Sequence, residues 1–151
     1  MALNARWSGN KLQFHDGANV IFEIDGTNLQ ASTTAQKQNV NTAAASQSVT
    51  AAQSGQMFIG AVDAVFTLPA VTSALKGVWF TFTTGVASSG TGLAISPAAA
   101  DFIGGNGLTQ VVNKDLINTG ATDRVGDSVT IYCDGTAWWI EALLGTWAKE
   151  T

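Results

Sequence analysis

The sequence predicts an all-β fold, in which an N-terminal hairpin arm and a short polar linker precede a compact β-sandwich or barrel. Three observations carry this. Apolar and polar residues alternate with a period of two in the second half of the chain, most clearly from Ser128 to Cys133. Sixteen glycines among 151 residues keep the strands short. No segment carries an amphipathic helical stripe, and the one helix-like piece is a single turn at Val71 to Leu75.

The arm covers residues 1–30. Lys11 to Phe14 reads as a strand with Leu12 and Phe14 on one face. The run His15-Asp16-Gly17-Ala18-Asn19 is turn material, because Gly17 tolerates positive φ, and His15 is read there as an exposed turn residue. Val20 to Asp25 is the return strand, closed by a turn at Asp25-Gly26-Thr27-Asn28. A two-stranded hairpin is marginal in water. Its apolar residues therefore need the main domain, other copies or a partner to cover them.

Residues 31–48 form a linker or stalk by composition, with Val40 the only strongly apolar residue and Lys37 the only charge. A short Ala-rich helix near Asn41 to Gln47 is weak on its own.

The head covers residues 49–151. Met57-Phe58-Ile59 and Ala64 to Leu68 are apolar runs, and Trp79, Phe80 and Phe82 interleave with Thr81 and Thr83. Leu93 to Ile95 is a short strand ended by Ser96-Pro97. Val129, Ile131 and Cys133 face the core, Asp134-Gly135-Thr136 turns the chain, and Ala137 to Leu143 returns. One of the adjacent pair Trp138 and Trp139 points inward and the other outward, because successive strand residues alternate.

Composition narrows the function. Charged residues make up 12%, and seven Lys and Arg against eleven Asp and Glu leave a net charge of −4. Nucleic acid is not an expected partner, since phosphate binding needs clustered cations. Membrane is not expected either, because the chain has neither a polybasic patch nor an apolar run long enough to span. Met1 to Asn10 lacks the apolar core of an export signal. A surface of Ser, Thr, Asn, Gln, Gly and Ala is inexpensive to desolvate, which suits a subunit of an assembly.

No catalytic constellation stands out, so the chain is read as a non-enzyme without metal or cofactor. His15 is the only imidazole, which leaves a serine triad without a base and a metal site short of ligands. Cys133 lies on an apolar strand face as a small hydrophobe. The eleven acids sit mostly beside glycines or at strand ends, and no pair is distinguished. Gly104-Gly105-Asn106-Gly107 lacks the Lys and Ser/Thr of a phosphate loop. Trp138, Trp139 and Trp147 are the remaining concentration, and they are candidates for a trimer interface or a ligand face.

The runs Leu12-Gln13-Phe14-His15-Asp16-Gly17 and Ile21-Phe22-Glu23-Ile24-Asp25-Gly26-Thr27-Asn28 resemble the start of small structural proteins of tailed bacteriophages. So do Ser54-Gly55-Gln56 to Thr67-Leu68-Pro69, Ala100 to Gly105, Asn118 to Ser128, and the ending from Asp134 to Trp147. The pattern is similar to capsid decoration (cement) proteins and, less specifically, to modules of phage head and tail fibres. The resemblance implies a homotrimer on the outer capsid surface of a virion, with the major capsid protein as partner. It implies that an N-terminal segment binds the shell and that neighbouring capsid subunits are locked together. The expected capsid-binding residues are Leu3, Trp7, Leu12, Phe14, Val20, Ile21, Phe22 and Ile24. The alternative is a receptor- or carbohydrate-binding tip of a fibre, against which stands a stalk too short to be a shaft.

Overall fold

The computed structural model describes residues 3–9, 11–16, 18–25, 39–42, 46–88 and 90–151. Among these the chain is nearly all β, with two short 3-10 turns at Ala51–Gln53 and Ser73–Leu75. Contacts divide it into two compact units, Met1–Lys37 and Gln38–Thr151.

The first unit is a meander of β1 (Leu3–Ser8), β2 (Lys11–Asp16) and β3 (Asn19–Asp25), antiparallel and adjacent in chain order. The expected hairpin is therefore three-stranded. β1 was not read from the sequence because Asn4-Ala5-Arg6 interrupts its apolar residues. Trp7 lies opposite Leu12 and Ala5 opposite Phe14, while Leu12 pairs with Ile24 and Phe14 with Phe22. The register slips between Phe14 and His15, so Ile21 is the extra residue of a bulge.

One expectation is overturned here. His15 is not an exposed turn residue: it belongs to β2 and is only 4% exposed. The strand runs through Asp16 before turning, and the Arg6 guanidinium donates from Nε to His15 Nε2 at 3.0 Å. Arg6 stands opposite Gln13, so His15 is its diagonal neighbour on the adjacent strand, within reach of a long side chain.

In the second unit, β4 (Val40–Asn41), β6 (Met57–Gly60), β8 (Trp79–Thr84), β10 (Ile103–Gly104), β12 (Ser128–Cys133) and β13 (Trp138–Leu144) build one sheet. The facing sheet contains β5 (Gln47–Ser48), β7 (Val65–Thr67), β9 (Ala94–Ser96), β11 (Leu116–Asn118) and β14 (Trp147–Lys149). Strand order is β10-β13-β12-β8-β6-β4 in the first and β14-β11-β9-β7-β5 in the second. From β4 to β9 the chain alternates between the sheets, and each new strand pairs in parallel with the one two places earlier. Parallel neighbours need a crossover, and the passage through the opposite sheet supplies it. Antiparallel β12 and β13 then extend the six-stranded sheet beyond β8. Their hairpin turns at Gly135, whose φ of 92° only glycine adopts without strain.

The linker expectation is revised at its C-terminal end. Val40–Asn41 and Gln47–Ser48 are edge strands of the two sheets, so both ends of the expected Asn41 to Gln47 helix are extended, and residues 43–45 lie outside the described residues. Residues 26–38, with the expected turn at Gly26-Thr27-Asn28 and the linker's first part, lie outside the described residues.

The core lies between the sheets. Phe58, Phe80 and Phe82 come from one and Phe66 from the other, with ring centroids 5.1–6.1 Å apart. Trp138 extends the cluster, 5.8 Å from Phe80. Val129, Ile131 and Cys133 are fully buried beside them, on the face that their alternation predicts. Burying such side chains contributes roughly 1.5–3 kcal/mol each, which lets a unit of this size stand on one core.

Candidate interaction surfaces

Strand alternation sets the outer face of the six-stranded sheet. Phe80 points inward, so Trp79 points outward; Ile131 and Cys133 do the same for Tyr132, and Trp138 for Trp139. Register then brings the three together, since Tyr132 stands opposite Trp79 on β8 and opposite Trp139 on β13. Three aromatic residues thus lie abreast on adjacent strands.

Glycine flanks the row at both ends. Gly55 N–H donates to the Trp79 carbonyl, and Trp79 Cζ2 lies 3.5 Å from where a Cβ on residue 55 would sit. Gly104 pairs with Trp139, whose Cζ3 lies 3.0 Å from the corresponding position. Each indole therefore covers bare backbone that a side chain would occupy. The Phe102 ring meets Trp139 edge-on at 6.0 Å, and Trp139 Nε1 donates to Asp134 Oδ2 at 2.7 Å. Trp79 and Tyr132 remain 38% and 39% exposed. With Ile140 and Glu141 they line an open cavity of about 730 Å3. The pairing passes from Ile131–Ile140 to Thr130–Ala142, so Glu141 is the extra residue of a bulge, the usual device for re-aiming a side chain.

Of the three tryptophans singled out from sequence, only Trp139 reaches this face. Trp138 is fully buried and donates to the Pro69 carbonyl at 3.3 Å. Trp147 is also buried, its indole N–H on the Leu144 carbonyl at 2.9 Å. Neither offers a ligand or a neighbour a face, which corrects that expectation. Trp79 and Tyr132 were the residues missed. The alternation around Phe80 and Ile131 carries the signal, because the neighbour of an inward strand residue points outward.

In the arm, Trp7 is 69% exposed, and Leu12 and Phe14 are half-buried. Leu3, Val20, Ile21, Phe22 and Ile24 occupy strand positions, and their side chains lie outside the described ones.

The acids serve loops. Asp63 accepts from the Ser88 hydroxyl and from Gly92 N–H, and these bonds, the hydroxyl first, hold its carboxyl below the usual range. Asp123 accepts from Ser88 N–H at 2.7 Å. Asp134 accepts from the Thr136 hydroxyl and N–H, from Ala137 N–H and from Trp139, and the Thr136 bonds chiefly push its pKa far down. Burial pushes the Cys133 thiol up, as expected of a packed, unreactive cysteine. Among the described residues no three His, Cys, Asp or Glu gather to hold a metal ion.

No family model matches this chain, and no curated protein matches it.

Proposed function

We propose that the chain is a capsid decoration protein of a tailed bacteriophage, which binds the outside of the shell and bridges neighbouring major capsid subunits. The observation that carries this reading is the division of labour in the chain. A small three-stranded sheet with an exposed Trp7 precedes a separate sandwich that has its own complete core. Exposed tryptophan is the residue type most enriched where binding energy concentrates. The arm residues Leu3, Trp7, Leu12, Phe14, Val20, Ile21, Phe22 and Ile24 are assigned to the capsid contact. An added strand or sheet edge on the shell would supply main-chain hydrogen bonds alongside those apolar groups.

The head would assemble as a homotrimer. Val62, Val86, Val125 and Leu144 are all exposed within three residues of one end of the six-stranded sheet, where Gly60 pairs with Thr84 and Ser128 with Thr83 and Leu144. Apolar residues gathered in this way favour contact between copies. Three arms per particle-bound trimer would act together, raising avidity by roughly 10²–10⁴ over one arm.

The test is co-sedimentation of full-length protein with undecorated capsids of the parent phage, comparing wild type with Trp7→Asp. The substitution is on an exposed site, so the fold should survive it. Affinity should fall by about tenfold or more, the scale of a hot-spot residue. Unchanged decoration by the variant would remove the arm from the contact.

A further inference from the structure

The outer face of the six-stranded sheet carries a feature that capsid attachment through the arm leaves unused. Tyr132 is flanked in register by Trp79 and Trp139 on its two neighbouring strands. Register sets the three side by side across the sheet, and the outer two indoles lean away from Tyr132, over Gly55 on one side and toward Gly104 on the other. The indole of Trp139 is held by Asp134 and edged by Phe102, which fixes it before any ligand arrives. Beside the row lies the open cavity lined by Trp79, Tyr132, Ile140 and Glu141.

We propose that this face is a binding site for an extended, neutral oligosaccharide. The apolar C–H faces of pyranose rings would lie on the aromatic row. Glu141 would accept hydroxyl hydrogen bonds from the sugar's edge, the small number of placed polar groups that orients a ligand in a mainly apolar site. Two other ligand classes fit less well. A cationic group is best held by aromatic residues converging into a cage, and here they stand in a line. An anionic polymer would meet Glu141, the one charged residue that lines the cavity among the described residues. The site belongs to the head and does not depend on what the arm attaches to.

Titration of the full chain with hexaoses of glucose, mannose and N-acetylglucosamine, read by tryptophan fluorescence, tests the proposal. At least one series should give a saturable change. Trp79→Ala and Tyr132→Ala should each weaken that binding by about tenfold or more, while Tyr132→Phe, which keeps the ring, should stay near wild type. Glu141→Gln should weaken it less than either alanine variant. Circular dichroism identifies any variant that fails to fold, and the others then decide. No saturable change with any of the three series would overturn the proposal, as would equal binding by both alanine variants. Sedimentation velocity supplies one more contrary result: self-association abolished by Trp79→Ala, with no sugar bound, would assign the face to a second copy.

Discussion

The Trp139 indole N–H donates to the Asp134 carboxylate at 2.7 Å, tying an outward-facing ring to the turn that precedes it. The same carboxylate accepts from Thr136 and from Ala137 N–H, so one side chain closes the β12–β13 hairpin and sets the ring. Hydrogen bonds to the charged form depress its pKa. Stability from a depressed carboxylate is present above the ordinary range and is lost as pH falls toward the lowered value. Wild type should therefore lose stability below about pH 4. Asp134→Asn should be less stable at neutral pH and show a flatter acid limb. Thermal melts at a series of pH values check this, and parallel curves would contradict it.

Ile131 is fully buried between the sheets, on the strand beside Phe80 and Trp138. Ile131→Ala should cost about 2–5 kcal/mol, the sum of lost transfer energy and a residual cavity. Urea unfolding measures it, and an unchanged midpoint would place this strand face outside the core.

Asn118 is a buried polar junction. Its Oδ1 accepts from the Thr84 hydroxyl at 2.7 Å, and its Nδ2 donates to Asp127 Oδ2 at 3.1 Å and to the Thr146 carbonyl at 3.0 Å. Asn118→Ala leaves these groups without their partner, at about 1–3 kcal/mol for each buried group stranded. Asn118→Asp should be worse, since an acceptor would then face the Asp127 carboxylate. Denaturant titration of both variants should rank them in that order.

Burial lowers the Lys149 pKa to about 8, against a smaller opposing pull from Asp115. The folded state therefore sheds this proton more readily than the unfolded chain, and this group's destabilising effect is fully present below about pH 8. It fades as pH rises toward the ordinary lysine value. Lys149→Met should be more stable than wild type at pH 7, with a gap that narrows toward pH 10. A gap constant with pH would show that the variant acts through packing alone.

The all-β class, the β12–β13 hairpin and the inward set Val129, Ile131 and Cys133 were legible in the sequence, because each rests on local alternation and turn residues. The alternation of β4 to β9 between two sheets was not. Parallel pairing is a long-range property, and strands as short as Val40–Asn41 carry no periodicity to read. His15 misled because Asp16-Gly17 beside it is strong turn chemistry, whereas Arg6, which keeps it in a strand, lies nine positions away. The aromatic row was hidden for the same reason: Trp79 and Tyr132 are neighbours only through register, 53 residues apart in the chain.

The central claim is that the arm attaches this chain to a phage capsid, and a cryo-EM reconstruction of the parent particle tests it most directly. The account predicts sandwich-shaped heads in threes on the outer shell, with the three-stranded sheet and Trp7 seated on adjoining major capsid subunits. Density for the chain at a tail or fibre tip alone, or heads held to the shell with the arm free of it, would contradict the account.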